Sequence, residues 1–453
     1  MMRSYLRHVL FKFVFVTIAL SSFISLINVF GVVAKQNNNN NDDNNIFNVK
    51  DYGAKGDGKT LDTKAITAAI QAIKINNGGT LLFPSGGKYL TGSLNLTSNL
   101  MFKVEKDATV LGSWNGKDWP LVDAGVIWPQ FGHASDCTPG TPECRLMHQP
   151  FLFAWHETNI TLTGGGMVDG NANASNWWNC ARHLELEPCN GHARPHLLFF
   201  ADTDNILLKS INFKNSPDWS LHFSSCNNLH IDEISVNNPK DAHNSDGIDV
   251  DCTTNVIIEN SYFSVGDDAI AIKSGIDYFG RRFNKSSRNI IYRNNIIEQG
   301  HGLSIGSETS GSIYNVTFEN LILKGTDRGP RIKSCRGRGG HIDGIVYRNI
   351  TAENLGTSIS FDFNYESHIA PTNKSATPTL SNILLENLYF QNSVNTAGEF
   401  NGLPESKFVN ITLRNVTTDG HGSGKFGNCD NVVNAICEEM DQEQCPPCFK
   451  NIS

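Results

Sequence analysis

The sequence predicts an all-β fold, a single-stranded parallel β-helix in which short strands stack coil upon coil, with a short helical cap at its N-terminal end. Three observations predict it. First, one motif recurs: Asn, alternating apolar residues, then a closing Asn or Gly. It reads Asn159-Ile-Thr-Leu-Thr-Gly, Asn205-Ile-Leu-Leu-Lys-Ser, Asn228-Leu-His-Ile-Asp, Asn255-Val-Ile-Ile-Glu-Asn and Asn289-Ile-Ile-Tyr-Arg-Asn. It continues as Asn315-Val-Thr-Phe-Glu-Asn, Asn382-Ile-Leu-Leu-Glu-Asn and Asn410-Ile-Thr-Leu-Arg-Asn, and Gly344-Ile-Val-Tyr-Arg-Asn keeps it with Gly in first place. Second, the starts at 205, 228, 255, 289, 315 and 344 lie 23, 27, 34, 26 and 29 residues apart, and those at 382 and 410 lie 28 apart. A propeller blade needs about 40 residues, and a sandwich would not hold one motif at one corner through so many repeats. Third, only 18% of the 453 residues are charged and 40 are Gly, which argues against helical bundles and coiled coils.

The elements follow in order. Residues 1–34 read as a signal peptide: Arg3, Arg7 and Lys12 precede an apolar run from Phe13 to Ala34, and Val32-Val33-Ala34 offers a small-residue cleavage site. The run is long enough to anchor in a bilayer, but Ser and Asn dilute it, so cleavage is the expectation. Residues 35–46 are an Asn-rich leader that cannot bury a core. In the stretch Phe47 to Ile75, Asp62-Thr63 can cap a helix running through Ile75 that presents Ala65, Ile66, Ala69, Ile70 and Ile73 on one face. Residues 47–425 form the β-helix domain, with the repeat legible from about residue 95. Residues 426–453 form a Cys-containing C-terminal tail. Coils should rise by about 4.8 Å each, with the repeated Asn stacked at one corner as a ladder of amides.

Charge and cysteine content narrow the class. A net charge of −8 disfavours a general nucleic-acid binder. Eleven cysteines suit a secreted chain with several local disulfides, and ten Asn-x-Ser/Thr sites, Asn95, Asn159, Asn315, Asn349 and Asn410 among them, suit a glycoprotein. Cys226 and Cys252 are 26 apart, about one coil, and could face each other. Cys137 with Cys144, Cys180 with Cys189 and Cys429 with Cys437 are plausible local pairs. Cys445 and Cys448 pair with each other or elsewhere, and Cys335 is left over.

Between 240 and 335 the coils carry polar clusters that a structural repeat does not need: Asn244-Ser-Asp246-Gly-Ile-Asp249, Gly266-Asp267-Asp268-Ala269, Gly300-His301-Gly302 and Arg331-Ile-Lys333. Asp246 to Asp267 is 21 residues, Asp268 to His301 is 33 and His301 to Arg331 is 30; each step is one coil, the second enlarged by an insertion from Ser274 to Arg288. The clusters therefore stack on one side of the solenoid as a groove, carboxylates first, then a His, then two cations. Carboxylates crowded together cannot all ionise cheaply, so one should hold a proton above its usual range. A protonated acid beside ionised bases is the pair that glycosidic hydrolysis uses. The cations suit a substrate bearing carboxylates. Each cluster alone reads as a turn or a solvated face; in order and in register they read as a site. A calcium cage of Asp246, Asp249, Asp267 and Asp268 is the competing reading, opposed by the His and the cations in line.

At these residues the sequence resembles the polygalacturonase family of glycoside hydrolases (family 28), from Asp51-Tyr-Gly-Ala-Lys-Gly-Asp-Gly to about Asn415. The resemblance implies a right-handed parallel β-helix, an inverting mechanism on α-1,4-galacturonosyl linkages of pectin, and neither metal nor cofactor. It implies that Asp267 is the general acid and that Asp246 and Asp268 activate water. His301 helps set the acid's protonation, Arg331 and Lys333 bind the substrate carboxylate on the leaving-group side, and Asn244 orients substrate or Asp246. Ser245 stands where the family usually has Thr, and Ala269 where Cys is common. Lys273-Ser-Gly, Gly280-Arg-Arg and Arg328 to Gly340 resemble the branch with exo-acting members. The implied partner is a pectic polysaccharide, met outside the cell by a monomer with no nucleic-acid or lasting membrane association. Hydrolysis of rhamnogalacturonan or xylogalacturonan, a pectate lyase and a non-catalytic polysaccharide-binding β-helix are the alternatives.

Overall fold

The computed structural model describes residues 45–134, 145–181, 183–366, 371, 373–419 and 425–452. The proposed signal peptide and residues 35–44 of the leader lie outside them, as does the Cys137–Cys144 pairing. Among the described residues the chain forms two parallel sheets, one of 22 strands and one of 11, and the fold is the parallel β-helix that the repeat predicts. An antiparallel hairpin, Leu121–Asp123 with Leu146–His148, lies outside them.

Coiling starts earlier than the repeat suggests. Ile46–Asn48 already pairs in parallel with Gly79–Phe83, register Phe47 to Leu81. The helix Thr63–Ile75 sits between these two strands in sequence and buries Ile66, Ala69, Ile70 and Ile73 against the first apolar layer of Val49, Leu81 and Phe83. Asp62 does not cap that helix through its side chain; its carboxylate instead accepts from the backbone N–H of Lys55 (2.7 Å) and Gly56 (2.9 Å), pinning the preceding turn. Ala65 is only partly buried. The helix covers the open apolar end of the solenoid, as a stack of coils requires.

Alternation decides which side chains fill the interior. In Ile248–Asp251, Ile248 and Val250 point into the core while Asp249 and Asp251 lie on the outer face. Aromatic rings stack down the interior: Tyr292 lies 6.0 Å from Phe318, which lies 4.6 Å from Tyr347 with the rings nearly parallel. At the corners the Asn ladder forms. Asn228 donates to Asn205 (3.1 Å), Asn289 to Asn255 (3.0 Å) and Asn315 to Asn289 (3.0 Å). The closing Asn of the motif builds a second ladder, Asn294 to Asn260, Asn320 to Asn294 and Asn349 to Asn320. Asn255, Asn289 and Asn315 have φ between 52 and 58°, the left-handed region, and Gly344 stands in the same row with φ 70°. The corner selects residues that tolerate this conformation, which is why Asn and Gly exchange there.

The solenoid also ends later than residue 425. Phe426–Asp430 and Val432–Glu438 add further parallel strands, and Lys450–Asn451 pairs with the latter. The tail is held by Cys429–Cys448 and Cys437–Cys445, not by Cys429 with Cys437 or Cys445 with Cys448. In the sheet, Phe400 faces Cys429 and Leu413 faces Cys437, so the two cysteines lie in different sheets and each reaches a partner in the final loop. Cys180–Cys189 forms as expected. Cys226 and Cys252 are both buried thiols, and Cys335 is a free thiol. Cys226 turns its sulfur to the carbonyl of Phe200 on the coil before (3.2 Å), away from Cys252.

Candidate active site

The 11-stranded sheet carries the site. Its pairing puts Ile248–Asp251, Ile270–Lys273, Leu303–Ile305 and Pro330–Lys333 on successive coils. The clusters sit just before or on these strands, and backbone bonds lock them together. Gly247 N–H donates to the Asp268 carbonyl (2.8 Å), and His301 N–H to the Asp267 carbonyl (2.8 Å). Asp246, Asp267, Asp268, His301, Arg331 and Lys333 are thus brought onto one side in the order the sequence spacing predicts. Close packing explains the glycines: a Cβ on Gly302 would lie 2.3 Å from the Arg328 carbonyl oxygen, and its φ is 104°.

The carboxylates are sharply differentiated. Asp268 is fully buried and receives Lys333 Nζ at 2.6 Å, Arg331 Nη1 at 3.1 Å and the Ser304 hydroxyl at 2.6 Å. Burial pushes its carboxyl up, but the two cations outweigh this and hold it far below the usual carboxylate range. Asp267 is partly exposed and bonds His301 Nδ1 at 2.8 Å. Burial again pushes up, yet the bond to His301 leaves Asp267 below its ordinary value. The same bond raises His301. Asp246 is the opposite case: burial, then the neighbouring Asp249, Asp267 and Asp268, push it well above the carboxylate range. Asp249 is pushed up to about 7, chiefly by burial. The elevated carboxyl that crowding demands is therefore Asp246 and not Asp267; the imidazole beside Asp267 makes the difference.

Lys273 is the main side chain that motif reading missed. It appears there only in the stretch Lys273-Ser-Gly. In the structure its ammonium lies 3.1 Å from Asp249, 3.6 Å from Glu308 and 4.0 Å from Asp246, over the Trp219 ring at 3.6 Å. A Lys closing the apolar strand Ile270-Ala-Ile-Lys, in register with Asp251, is the signal that could have found it. Tyr365 is the second, its ring 5.7 Å from Arg331 and 5.4 Å from Lys333. Asn244 accepts from the buried Arg194 at 3.1 Å, with φ 54°, so its amide is fixed from behind the groove. A calcium cage would have to displace Lys273 from Asp249, Arg331 and Lys333 from Asp268, and His301 from Asp267. Although Asp267, Asp268 and His301 bring donor atoms within 4.8 Å of one another, the chain's own cations already neutralise them.

The groove is closed on one side. A second apolar cluster lies on the outer face of the sheet: Trp128 and Phe131 pack on Phe153, Phe199 and Trp219, with Ile276 alongside. Trp128 Nε1 donates to Asp251 at 2.7 Å and Gln130 Nε2 to the same carboxylate at 2.9 Å. The segment 124–134 therefore covers the coils that precede Asp246. Beneath it, His196 and His222 are fully buried, and burial pushes both below the usual imidazole range, His196 to about 3. This cover is not legible in the sequence, because the segment carries no repeat.

Comparison with known proteins agrees with the geometry. Residues 147–438, which hold every proposed site residue, match the model of glycosyl hydrolases family 28. Residues 46–105 match a model described as rhamnogalacturonase A/epimerase, pectate lyase-like. The chain is 30% identical over 373 residues to a probable polygalacturonase of Vitis vinifera, covering 81% of this chain and 73% of the relative. It is 30% identical over 382 residues to an endo-polygalacturonase of Pectobacterium carotovorum, covering 81% and 87%. The crystal structure of an exopolygalacturonase from Thermotoga maritima superposes with a TM-score of 0.72 at 25% identity, over 87% of this chain and 92% of that one. The chain is a glycoside hydrolase and belongs to glycosyl hydrolases family 28.

Proposed function

We propose that the protein hydrolyses α-1,4-galacturonosyl linkages of pectic polygalacturonan with inversion, releasing sugar from the non-reducing end. The observation that carries the hydrolase chemistry is the division of labour among three carboxylates in one groove. The Asp267–His301 pair holds a proton between them and delivers it through Asp267 to the leaving oxygen. Asp246 has the strongest hold on a proton of the set and takes one from the attacking water. Asp268, kept ionised by Arg331 and Lys333, orients that water. One proton enters the leaving group and one leaves the water, so the site is unchanged in charge after a turnover. Water attacks opposite the departing oxygen, which gives inversion.

Substrate class and cutting mode rest on the two ends of the groove. A guanidinium offers five donors, enough for Arg331 to hold Asp268 and a substrate carboxylate together, and Lys333 adds a second charge. That end is the leaving-group side, which in a glycan points to the reducing end. The opposite end is covered by Trp128, Gln130 and Phe131, and a blocked end on that side favours release of short products from the chain end. Relatives named as polygalacturonases support the substrate; one of them is named endo-acting and a similar solved structure exo-acting, so the covered end carries the exo reading. The basic and apolar start of residues 1–34 supports export to where a wall polymer lies, and no helix among the described residues is long and apolar enough to cross a membrane.

Time-resolved chromatography of products from polygalacturonate tests this. Monogalacturonate alone from the first time point, with a β-anomer by proton NMR before mutarotation, is the expected result; a ladder of oligomers sinks the exo reading. Asp267→Asn should lower kcat by about 10³-fold, within the range of lost acid catalysis. An ultraviolet-absorbing unsaturated product would make the enzyme a lyase instead.

A further inference from the structure

Beyond Arg331 and Lys333 the groove continues along the same sheet, and its charge reverses. Arg331 pairs in register with Ser360 and Lys333 with Asp362; on the next coil Ser360 meets Glu399 and Asp362 meets Asn401. Ile359, Phe361 and Phe400 point into the core, so Ser360, Asp362, Glu399 and Asn401 lie on the outer, groove side. Asp362 and Glu399 are partly exposed there. They are tied to each other's coils: Ser360 donates to Glu399 at 2.8 Å, and Asn401 to Glu399 at 3.3 Å. On the following coil Asn401 faces Asp430, an exposed third carboxylate. Of the cations at the margin, Arg336 is paired with Glu405, and Arg328, paired with Asp327, offsets Asp362 only in part. Parallel strands stand about 4.8 Å apart, so Asp362 lies one coil past Lys333, within the reach of a second sugar on the leaving-group side.

We propose that Asp362 and Glu399 are specificity-determining residues that select an uncharged residue, such as a methyl-esterified uronate, in the second position on the leaving-group side. The inference rests on the reading above and deepens it. The first leaving-group sugar brings a carboxylate to Arg331 and Lys333. The second sugar meets carboxylates instead. Its hydroxyls can donate to them, but a free carboxylate on it would be repelled at short range in a partly desolvated groove. Selectivity then alternates along the chain: charged where the sheet offers cations, uncharged where it offers acids.

The test compares three substrates on the intact enzyme near neutral pH and low salt: digalacturonate, trigalacturonate, and trigalacturonate esterified at its reducing-terminal unit. With the first sugar before the cut, the third occupies the position in question. The expected kcat/KM ratio of esterified to free trimer is roughly 5-fold in the wild type, shrinking as ionic strength rises. In Asp362→Asn, Glu399→Gln and the double variant the ratio should fall stepwise toward 1 while digalacturonate is cut at the wild-type rate, which also shows that the variants fold. A wild-type ratio of 1 or less, or a ratio that the double variant leaves unchanged, overturns the inference. Failure of the wild type to cut digalacturonate would overturn the functional reading itself, and this inference with it.

Discussion

His301 Nδ1 and Asp267 meet at 2.8 Å, and each shifts the other's titration through that contact. The bond raises His301 above its ordinary value near 6.5 and lowers Asp267. In the proposed mechanism the reacting state has the pair protonated and Asp246 ionised. Activity should therefore rise with pH as Asp246, itself elevated, loses its proton, and fall as pH climbs through the raised His301 value. His301→Asn removes the partner that both raises the shared proton's affinity and lowers Asp267. The alkaline limb of kcat against pH should then move to lower pH, because a carboxyl replaces an imidazolium as the group that holds the proton. An unmoved limb would show that His301 is not the group titrating there. At this scale the sequence named Asp246, Asp267, Asp268, His301, Arg331 and Lys333 through spacing. It did not reveal Lys273, because a single Lys in an apolar strand has no motif. Nor did it reveal which carboxyl is elevated, because that depends on the 4.0 Å, 2.8 Å and 2.6 Å contacts made across coils.

At the scale of the element, the corner Asn does two jobs. Its backbone takes the left-handed conformation, and its amide bridges neighbouring coils. Asn289, with φ 58°, donates to Asn255 and accepts from Asn315. Asn289→Ala loses both bonds and adds the strain of an alanine at positive φ, together about 2–3 kcal/mol. Asn289→Gly keeps the conformation, as Gly344 does in the same row, and should cost about half as much. Equilibrium denaturation of the two variants separates the contributions; equal costs would mean the backbone term is absent. The recurrence of Asn at this spacing was legible because the requirement repeats every coil. The early start at Ile46 was not, since Ile46-Phe-Asn lacks the motif, whereas the late end leaves a trace: Asn434-Ala-Ile-Cys-Glu, 24 residues after Asn410, continues the corner row with φ 54°.

For the molecule as a whole, the groove's shape comes from two apolar clusters with different fates. One runs the length of the solenoid interior; the other fastens the segment 124–134 onto the sheet's outer face. Trp128 is fully buried in the second and holds Asp251. Trp128→Ala should cost about 3–5 kcal/mol of local stability, but the cover can loosen without the coils unwinding. The expected outcome is a main melting transition shifted little, with products changing from monogalacturonate toward longer oligomers as the covered end opens. If the variant still releases monomer alone, Trp128 does not set the cutting mode.

The chain's own order of residues determined the solenoid, its Asn corners and the stacking of four polar clusters, because a coil of near-constant length converts sequence separation directly into position along an axis. Only the folded molecule decided which carboxylate is pushed up and which down, where one end of the groove is covered, which cysteines meet and where its charge turns negative. Those properties arise from non-repeating segments and from neighbours one coil away, dozens of residues distant in sequence, whose contact no local pattern encodes.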